Sequence, residues 1–410
     1  MTDALRELKL RGFFQQCTDE NNLEKLLKSK SITFYAGFDP TNISLHLGHL
    51  VPIMGMAHLQ RMGHRAIALV GGGTAMIGDP TGKTEARKIL SVEEIDNNTE
   101  KIKEQLEKFL KLDNKEGILV NNAEWLRNIN YIEFLRDIGK HFSVNRMLSF
   151  ETYKEKMKYG LSFLEFNYIL LQSYDFLQLF KRYDCVLQIG GDDQWANMLS
   201  GVELIRRVEK STEVECLTFP LILTSDGKKM GKTEKGAIFL SKELTTVFDF
   251  YQYWINVTDD DVIRFLKLYT FLPLEEIAKY EKLKYEELRE AKEVLAFEVT
   301  KLVHGEEAAI EARKGAKAAF GKGEDFDAMP TVEISKDIIK NGIGVLDLFV
   351  KAGLCESKGE VRRLIQQNGC KVNDKKINDE KVIIEESYVT ENGIILRSGK
   401  KKVCRVIVKN

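Results

Sequence analysis

The first two-thirds of the chain alternates short apolar runs with segments that have the apolar spacing of a helix. Residues 31–37 and 66–70 predict strands on either side of a helix over 46–62, and the second strand stops at three consecutive glycines. Further strands are predicted at 118–120 and 185–191. Since strand, helix and strand in this order make a βαβ unit, the pattern predicts an α/β fold with a parallel sheet.

The pattern changes after about residue 240. Apolar residues at helical spacing between 288 and 302 predict a long amphipathic helix, within an all-α region that ends at about residue 320. A polar, glycine-bearing segment over 321–342 then predicts a linker. We therefore expect more than one domain, which agrees with the length of 410 residues.

The remaining residues, 343–410, predict a small α+β module. Ser357 followed by Glu360 predicts a capping box, in which the serine hydroxyl accepts the N3 amide and the glutamate reaches back. That helix is predicted to end at Asn368 and Gly369, and residues 371–377 predict a hairpin.

Composition narrows the class of protein. With 43% hydrophobic residues the chain can fill conventional cores, which argues against disorder and against a fibrous architecture. Its six cysteines have no C-x-x-C spacing, which argues against a zinc site or a disulfide framework. The first residues lack the apolar region of a signal peptide, and no apolar stretch is as long as a bilayer span. We expect a cytoplasmic protein with reduced thiols and no membrane partner.

The net charge of −1 is unevenly distributed. From Asn341 onward there are 14 Lys and Arg against nine Asp and Glu, a surplus of +5 that leaves −6 for the preceding residues. A basic C-terminal module suits an RNA backbone. A solvated surface on a packing domain explains the charge equally well.

His46-Leu47-Gly48-His49 falls where the helix after the first strand begins. Helix N-termini gather unpaired amides and a partial positive charge, so they bind phosphate readily. The two histidines can donate to phosphate oxygens, and Gly48 lets a nucleotide base lie against the backbone. Histidines that only cap or pack the helix are the competing interpretation.

A second motif, Lys229-Met230-Gly231-Lys232-Thr233, lies in a lysine-rich loop. Lysine carries a compact charge with rotatable donors, which suits negative charge that moves to a leaving pyrophosphate. Seen alone, such a loop is more often plain solvated surface.

Together the two motifs resemble the signature motifs of class I aminoacyl-tRNA synthetases, and within that class the chain is similar to the bacterial tyrosyl-tRNA synthetases. The resemblance includes residues 35–41, 78–83, 168–175 and 188–195, in the order and spacing of the family. Gly231 and Thr233 replace the serines of the commonest second motif, but the lysines are retained. The resemblance covers nearly the whole chain.

The resemblance implies a domain organisation. It comprises a Rossmann-like catalytic domain (1–224) with a connective, dimer-forming insertion around 125–166, a mobile lysine loop (225–240), a helical tRNA-contacting domain (241–320), a linker (321–342) and an S4-like RNA-binding domain (343–410).

The resemblance also implies an activity. The chain is expected to activate L-tyrosine with ATP, giving tyrosyl-adenylate and pyrophosphate, and to transfer the tyrosyl group to the 3′ end of tRNA(Tyr). It would act as a homodimer, with Mg²⁺ carried by ATP, without a dedicated protein metal site and without a DNA partner. No nucleophilic side chain is required, because an α-carboxylate with a pKa of roughly 3.5 is ionised at neutral pH.

Roles are implied for the residues that match the family. Tyr35 and Asp175 would hydrogen-bond the tyrosine phenol, while a second group would hold its ammonium and carboxylate: Asp79, Tyr168 and Gln172 the ammonium, and Gln188 the carboxylate. For Tyr168 and Gln172, a plain helix face is the competing interpretation.

Further matching residues would bind ATP, the phosphates or RNA. The nucleotide and adenylate pocket would comprise Gly37, Asp39, Gly48, Gly191, Asp193, Gln194 and Lys232. Thr41 and His46 would meet the γ-phosphate and His49 the ribose or adenylate. Lys83, Arg87, Lys229 and Lys232 would act on the departing pyrophosphate, and Thr233 would be a further catalytic residue of the second motif. RNA would contact Ser357, Lys358, Arg362, Arg363, Lys371 and Lys375.

Three alternatives remain open from the sequence. A tryptophanyl-tRNA synthetase shares the fold, but it lacks the S4-like tail. A catalytically inactive, RNA-binding relative would be expected to have lost the motif histidines or lysines. A small nucleotidyltransferase with an HxGH site would be shorter and would lack the tail.

Overall fold

The computed structural model describes residues 3–81, 89–211, 213–225, 227, 230–233, 236–284, 287–320, 329–399 and 402–409, with only the backbone at 232, 233, 319 and 320. The chain divides into two compact units, Met1–Thr246 with Val257–Leu295, and Val247–Asn256 with Ala296–Asn410. In the described part of the chain no helix is long and apolar enough to cross a membrane.

The helices begin and end as follows. They are α1 (Ala4–Arg11), α2 (Glu20–Ser29), α3 (Leu47–Arg61), α4 (Val92–Leu106), α5 (Ala123–Leu126), α6 (Tyr131–Asp137), α7 (Val144–Ser149), α8 (Glu151–Met157), α9 (Phe163–Tyr183), α10 (Trp195–Val208), α11 (Val247–Ile255), α12 (Asp259–Tyr269), α13 (Leu274–Tyr280), α14 (Leu288–His304), α15 (Glu306–Phe320), α16 (Lys336–Lys340), α17 (Val345–Lys351) and α18 (Lys358–Gln366).

The strands are likewise numbered in chain order. They are β1 (Gln16–Cys17), β2 (Thr33–Phe38), β3 (Arg65–Val70), β4 (Gly117–Asn121), β5 (Cys185–Gly191), β6 (Glu215–Phe219), β7 (Lys232–Thr233), β8 (Gly236–Ala237), β9 (Thr331–Ser335), β10 (Ile343–Gly344), β11 (Cys370–Val372), β12 (Lys375–Lys376), β13 (Ile383–Ile384), β14 (Ile394–Ser398) and β15 (Lys402–Lys409).

The first unit is built on a mainly parallel sheet in the order β1-β6-β5-β2-β3-β4. Only the short β1 runs antiparallel to its neighbour, β6. Tyr35 on β2 lies opposite Ile67 on β3 and Gln188 on β5. The sheet confirms the predicted α/β fold, and the four predicted strands are observed as β2 to β5, within two residues at each end.

The centre of this sheet is where a ligand site is expected. β3 and β4 lie on one side of β2, whereas the later strands β5 and β6 lie on its other side, so the strand order reverses at β2. In open parallel sheets such a reversal opens a crevice beyond the carboxyl ends of the strands. Asp39, Gly71, Asn122 and Asp192 are the residues that follow β2, β3, β4 and β5 at or near this edge.

The second unit contains a five-stranded sheet in the order β12-β11-β14-β15-β9. The predicted hairpin is confirmed as β11 and β12, and its turn residues Asn373 and Asp374 both have positive φ. Its core is apolar and includes Phe349 from α17 and Val361 from α18. The observed strands and helices agree with the predicted α+β module.

Two local predictions in the second unit need correction. Residues 331–335 of the predicted linker form β9, which pairs in parallel with β15, a partner more than 70 positions later in the chain; residues 321–328 lie outside the described part. The capping box is only half formed, because Ser357 accepts the Glu360 amide while the Glu360 carboxylate accepts the amide of Glu356. The partner of β9 is too distant in the chain for a local sequence pattern to show it.

A buried histidine in α3 makes the first unit sensitive to acid. His58 is packed between the rings of Phe13 and Phe271, and burial, together with the charges of Arg11 and Arg61, lowers its pKa from 6.5 to about 3. The unfolded chain therefore binds a proton between pH 6.5 and 3 that the folded chain does not. The contribution of neutral His58 to the free energy of unfolding is therefore fully present above pH 6.5, and it is lost as the pH falls from 6.5 toward 3.

We expect His58→Gln to reduce this acid sensitivity. Between pH 7 and pH 5 the wild type should lose about 2 kcal/mol of unfolding free energy through His58, at roughly 1.4 kcal/mol per pH unit below 6.5. Urea unfolding of the wild type and variant at both pH values measures the difference. An equal pH-dependent loss in both proteins contradicts the assignment.

Candidate active site

The carboxyl edge of the first sheet holds a cavity of about 680 Å³. It collects most of the residues that the resemblance implicated: Tyr35, Gly37, Asp39, Thr41, His46, Gly48, His49, Asp79, Tyr168, Gln172, Asp175, Gln188, Gly191, Asp193 and Gln194. Met230 and Gly231 of the second motif also line it.

Other predicted residues cannot be placed there from the structure. Lys83, Arg87 and Lys229 lie outside the described residues, and Lys232 and Thr233 are described only as backbone in β7. Their roles stay predictions.

At one end of the cavity two hydrogen-bond donors hold the buried carboxylate of Asp175. Asn122 Nδ2 donates to Oδ2 over 2.8 Å and Trp125 Nε1 donates to Oδ1 over 2.7 Å. Burial raises the pKa of Asp175 to about 8, although these two hydrogen bonds lower it. Each carboxylate oxygen accepts one bond from these donors and retains acceptor capacity for a further donor.

The hydroxyl of Tyr35 is buried in the same cavity and finds no hydrogen-bond partner among the described residues. Burial, with the nearby Asp175 charge, raises its pKa well above the usual value, so the phenol is protonated. The side-chain oxygen of Gln188, on the adjacent strand β5, likewise has no partner within the described chain. Since unsatisfied buried polar groups are costly, both atoms point to a polar ligand in the cavity.

A hydrogen-bond chain leads from Asp175 to Asp39. Asn122 Nδ2, which donates to Asp175, also donates to Thr74 Oγ1 over 3.0 Å. The Thr74 hydroxyl in turn donates to Asp39 Oδ1 over 2.6 Å. The Tyr168 hydroxyl donates to Asp39 Oδ2 over 2.8 Å. An added Cβ on Gly71 would lie 1.9 Å from Asp39 Oδ1, so glycine is required here.

A second polar chain runs through Asp79. Gln194 Nε2 donates to Asp79 Oδ2 over 2.6 Å, and the Thr81 amide donates to Oδ1. Asn197 donates to the side-chain oxygens of both Gln194 and Gln172. Gln172 is therefore part of the polar lining of the cavity.

The first motif forms the start of α3. His46 is the N-cap residue: its Nδ1 accepts the Gly48 amide, and Nδ1 of His49 accepts the His46 amide. Both histidines therefore do cap the helix, as the competing interpretation held. Because Nδ1 accepts a hydrogen bond in each ring, the proton of a neutral ring lies on Nε2.

Gly48 has a clear structural reason within the motif. A Cβ at this position would lie 2.8 Å from Cε1 of the His46 ring. Glycine thus leaves room for the capping histidine, a reason that differs from the predicted contact with a nucleotide base.

The two motifs lie side by side through their backbones. The Leu47 amide donates to the Ile238 carbonyl over 3.0 Å, and the Ile238 amide donates to the Gly231 carbonyl over 2.8 Å. Gly231 has φ of 76°, and a Cβ there would lie 2.8 Å from Cβ of Leu47. Gly231, the middle residue of the second motif, therefore packs against the start of α3.

Sequence reasoning missed Thr74, Asn122, Trp125 and Asn197. One signal was present, since Asn122 closely follows the predicted strand 118–120 at the carboxyl end of a parallel strand. The others follow no pattern, because their function depends on partners far away in the chain.

The predicted RNA-contacting residues lie close together in the second unit. Ser357 is the N-cap of α18, which also carries Lys358, Arg362 and Arg363, and Lys371 and Lys375 lie on β11 and β12. All are exposed except Lys371, which is half-buried. Two of the cations form ion pairs, Lys358 with Asp347 and Arg362 with Glu380.

Comparison with known proteins agrees with this geometry. Residues 27–321 match the family described as tRNA synthetases class I (W and Y), and residues 323–406 match the tyrosine–tRNA ligase SYY-like C-terminal domain. The chain is 54% identical to the tyrosine–tRNA ligase of Caldanaerobacter subterraneus and 53% identical to that of Acetivibrio thermocellus. Both alignments cover 99% of this chain and 99% of the relative.

Its structure is also similar to a C-terminally truncated mitochondrial tyrosyl-tRNA synthetase from Aspergillus nidulans. The TM-score is 0.70 at 31% identity, covering 78% of this chain and 95% of the other. With the two matched families, these likenesses show that the chain belongs to the tyrosine–tRNA ligases, within the class I tRNA synthetases.

Proposed function

We propose that the cavity of this tyrosine–tRNA ligase binds the tyrosine phenol between Tyr35 and Asp175. The observation that carries this assignment is the buried Tyr35 hydroxyl without a described partner, in the same cavity as a carboxylate held on both oxygens. The substrate hydroxyl would donate to Asp175 and accept from Tyr35. Donation to Asp175 favours its ionised form, which burial alone disfavours.

The tyrosine ammonium and carboxylate would lie on the two polar chains. Asp79 supplies a negative charge, while Tyr168 and Gln172 supply neutral oxygens that accept from an ammonium. Gln188 would face the substrate carboxylate and Asp193 the ribose. These placements bring the tyrosine carboxylate toward α3.

ATP would bind with its phosphates at the amino end of α3. His46 and His49 present Nε2–H donors there, next to the helix amides and their partial positive charge. Thr41 lies in the same cavity wall. The tyrosine carboxylate then attacks the α-phosphorus in line, and the lysines of the second motif take up charge on the leaving pyrophosphate.

ATP–pyrophosphate exchange with each of the twenty amino acids tests this function. Exchange with tyrosine alone is the expected result. Exchange with tryptophan, or with no amino acid, contradicts it. The cavity disfavours tryptophan because the indole N–H only donates, which leaves the Tyr35 hydroxyl without an acceptor of its own.

We propose that Mg²⁺ enters as the counterion of the ATP phosphates. Magnesium prefers phosphate oxygens and water, with few protein carboxylates. Within the described residues no group of three or more His, Cys, Asp or Glu is placed to hold a metal ion.

We further propose that α18 and the β11–β12 hairpin contact tRNA. The exposed ion pairs of Lys358 and Arg362 contribute little, so phosphates can replace their carboxylate partners. We also propose a cytoplasmic location, where the six free cysteines would stay reduced.

We propose a homodimer formed through the insertion around residues 125–166. This segment exposes large apolar side chains, including Tyr131, Ile132, Val144, Tyr159 and Phe163, of which Ile132 and Phe163 are about 70% exposed (71% and 70%). Exposed apolar side chains grouped in this way are typical of a protein interface.

The double variant Ile132→Asp, Phe163→Asp should dissociate such a dimer. Both residues lie in the first turn of a helix, where an acidic residue stabilises the helix, so each chain should stay folded. Sedimentation velocity should give twice the chain mass of 46.9 kDa for the wild type and one chain mass for the variant. Ile89→Asp, at a similarly exposed position outside the insertion, is the control. A dimeric double variant contradicts the proposed interface.

A further inference from the structure

A buried glutamine outside the predicted site holds the chain segment that leads into the first motif. Gln105 lies on α4 and its side chain is fully hydrogen-bonded. Its oxygen accepts from the Leu45 amide (3.0 Å) and the Ser44 hydroxyl (3.1 Å). Its nitrogen donates to the carbonyls of Ile43 (3.1 Å) and Lys101 (3.0 Å). One side chain thus fixes three consecutive residues immediately before His46.

Ser44 extends this contact to the segment that follows the second motif. Its Oγ accepts the Ser241 amide over 3.0 Å, and the adjacent Leu45 carbonyl accepts the Leu240 amide over 2.8 Å. With the Leu47–Ile238 hydrogen bond and the bridge between His46 and Phe239, residues 45–47 and 238–241 form a short antiparallel ladder.

The ladder continues to Gly231, whose carbonyl accepts the Ile238 amide. Hydrogen bonds therefore run from Gln105 through Ser44 and the ladder to the first described turn of the second motif. Gln105 itself does not line the cavity, whereas Ser44, Leu45, His46 and Phe239 of the segments that it helps to hold do. Gln105 can therefore act on the reaction only through these residues.

We propose that Gln105 and Ser44 are positioning residues for tyrosine activation, which hold the segment after the second motif against the start of the first motif, beside the proposed site of the ATP phosphates. The proposal rests on the proposed roles of those motifs. Because a displacement of about 1 Å can cost roughly 10²-fold in rate, loss of Gln105 should act mainly on kcat. The tyrosine phenol site lies on other elements, so KM for tyrosine should stay nearly constant.

The chain offers a matched control in Gln60 on α3. Gln60 is as buried as Gln105, with 7% of each residue exposed. Its side chain likewise holds a backbone segment, through hydrogen bonds with the amide and carbonyl of Lys111 and the carbonyl of Glu116, in a loop that does not line the cavity. Gln60→Met and Gln105→Met should therefore lower the melting temperature by similar amounts.

Pyrophosphate exchange with tyrosine tests the proposal on the full chain. We expect Gln105→Met to lower kcat at least tenfold with KM for tyrosine changed less than threefold, while Gln60→Met stays within twofold of the wild type. Ser44→Ala should also lower kcat, and it serves as the test if Gln105→Met does not fold.

Equal kcat values in the Gln105 and Gln60 variants overturn the proposal. If Gln105→Met does not fold, a wild-type kcat in Ser44→Ala overturns it. A wild type without tyrosine-dependent exchange refutes the proposed function instead.

Discussion

Asp175→Asn should lower kcat/KM for tyrosine by about 10²-fold, because it removes the charged acceptor proposed for the phenol. Asn122 and Trp125 each donate to one carboxylate oxygen of Asp175. An asparagine has only one oxygen, so its NH₂ group would lie against one of these two donors and leave that donor without an acceptor. Loss of a hydrogen bond to a buried charge, with a donor left unsatisfied, costs about 3 kcal/mol. Pyrophosphate exchange at varied tyrosine concentration measures the effect.

Asp192→Asn is the control for this variant. Asp192 also accepts two side-chain hydrogen bonds, from Gln16 and Thr218, but it does not line the cavity. It should keep nearly wild-type kcat/KM. Similar losses in both variants would show that Asp175 acts only on the fold.

The same site should exclude phenylalanine. Tyrosyl-tRNA synthetase is itself the reference example of a pocket that rejects a substrate lacking the hydroxyl, since the pocket's own polar groups then stay unpaired. In the proposed site those groups would be Tyr35 and Asp175, and no editing domain would be required.

Lys232→Ala should lower kcat for tyrosyl-adenylate formation by about 10²- to 10³-fold while KM for tyrosine changes little. Groups that stabilise charge appearing only in the transition state affect kcat, and loss of one such donor has roughly this cost. The backbone of Gly231, the middle residue of the second motif, packs against Leu47, beside the proposed phosphate site. Single-turnover adenylate formation gives kcat separately from tyrosine binding.

Lys242→Ala controls for the loss of a positive charge near the same segment. Lys242 is exposed and lies outside the cavity lining. It should leave adenylate formation unchanged. An unaltered pyrophosphate-exchange rate in Lys232→Ala would remove this lysine from the mechanism.

Local pattern was sufficient to predict the central strands and the helix between the first two of them, expected over 46–62 and observed as Leu47–Arg61. Apolar runs such as 66–70 are buried on both faces in a parallel sheet, so they stay readable as continuous runs. The strand β9 was not predictable in the same way, because its partner β15 lies at the far end of its domain. The two observed units divide the helices of the predicted helical domain (241–320): α12 and α13 belong to the first unit, and α11 and α15 to the second. The predicted domain boundaries remain a proposal.

For the site, motifs placed the residues that would touch substrate, but not the residues that hold them. Tyr35 and Asp175 came from the family resemblance, whereas Asn122 and Trp125 became visible only through their hydrogen bonds. Gln105 has no sequence signal, since a glutamine on an amphipathic helix is ordinary surface until its partners are known. For His46 and His49, the capping role and the proposed phosphate-binding role are compatible. Capping uses Nδ1 of each ring, whereas the proposed contact with phosphate uses Nε2.

The position of β15 has a consequence for synthesis of the chain on the ribosome. β15 lies between β14 and β9, so β9 has no sheet neighbour until β15 is present. Residues 331–335 must therefore wait as an unpaired strand while about 70 further residues are translated. The sheet of the first unit needs no strand beyond β6, so that sheet can assemble while the C-terminal sheet is still incomplete.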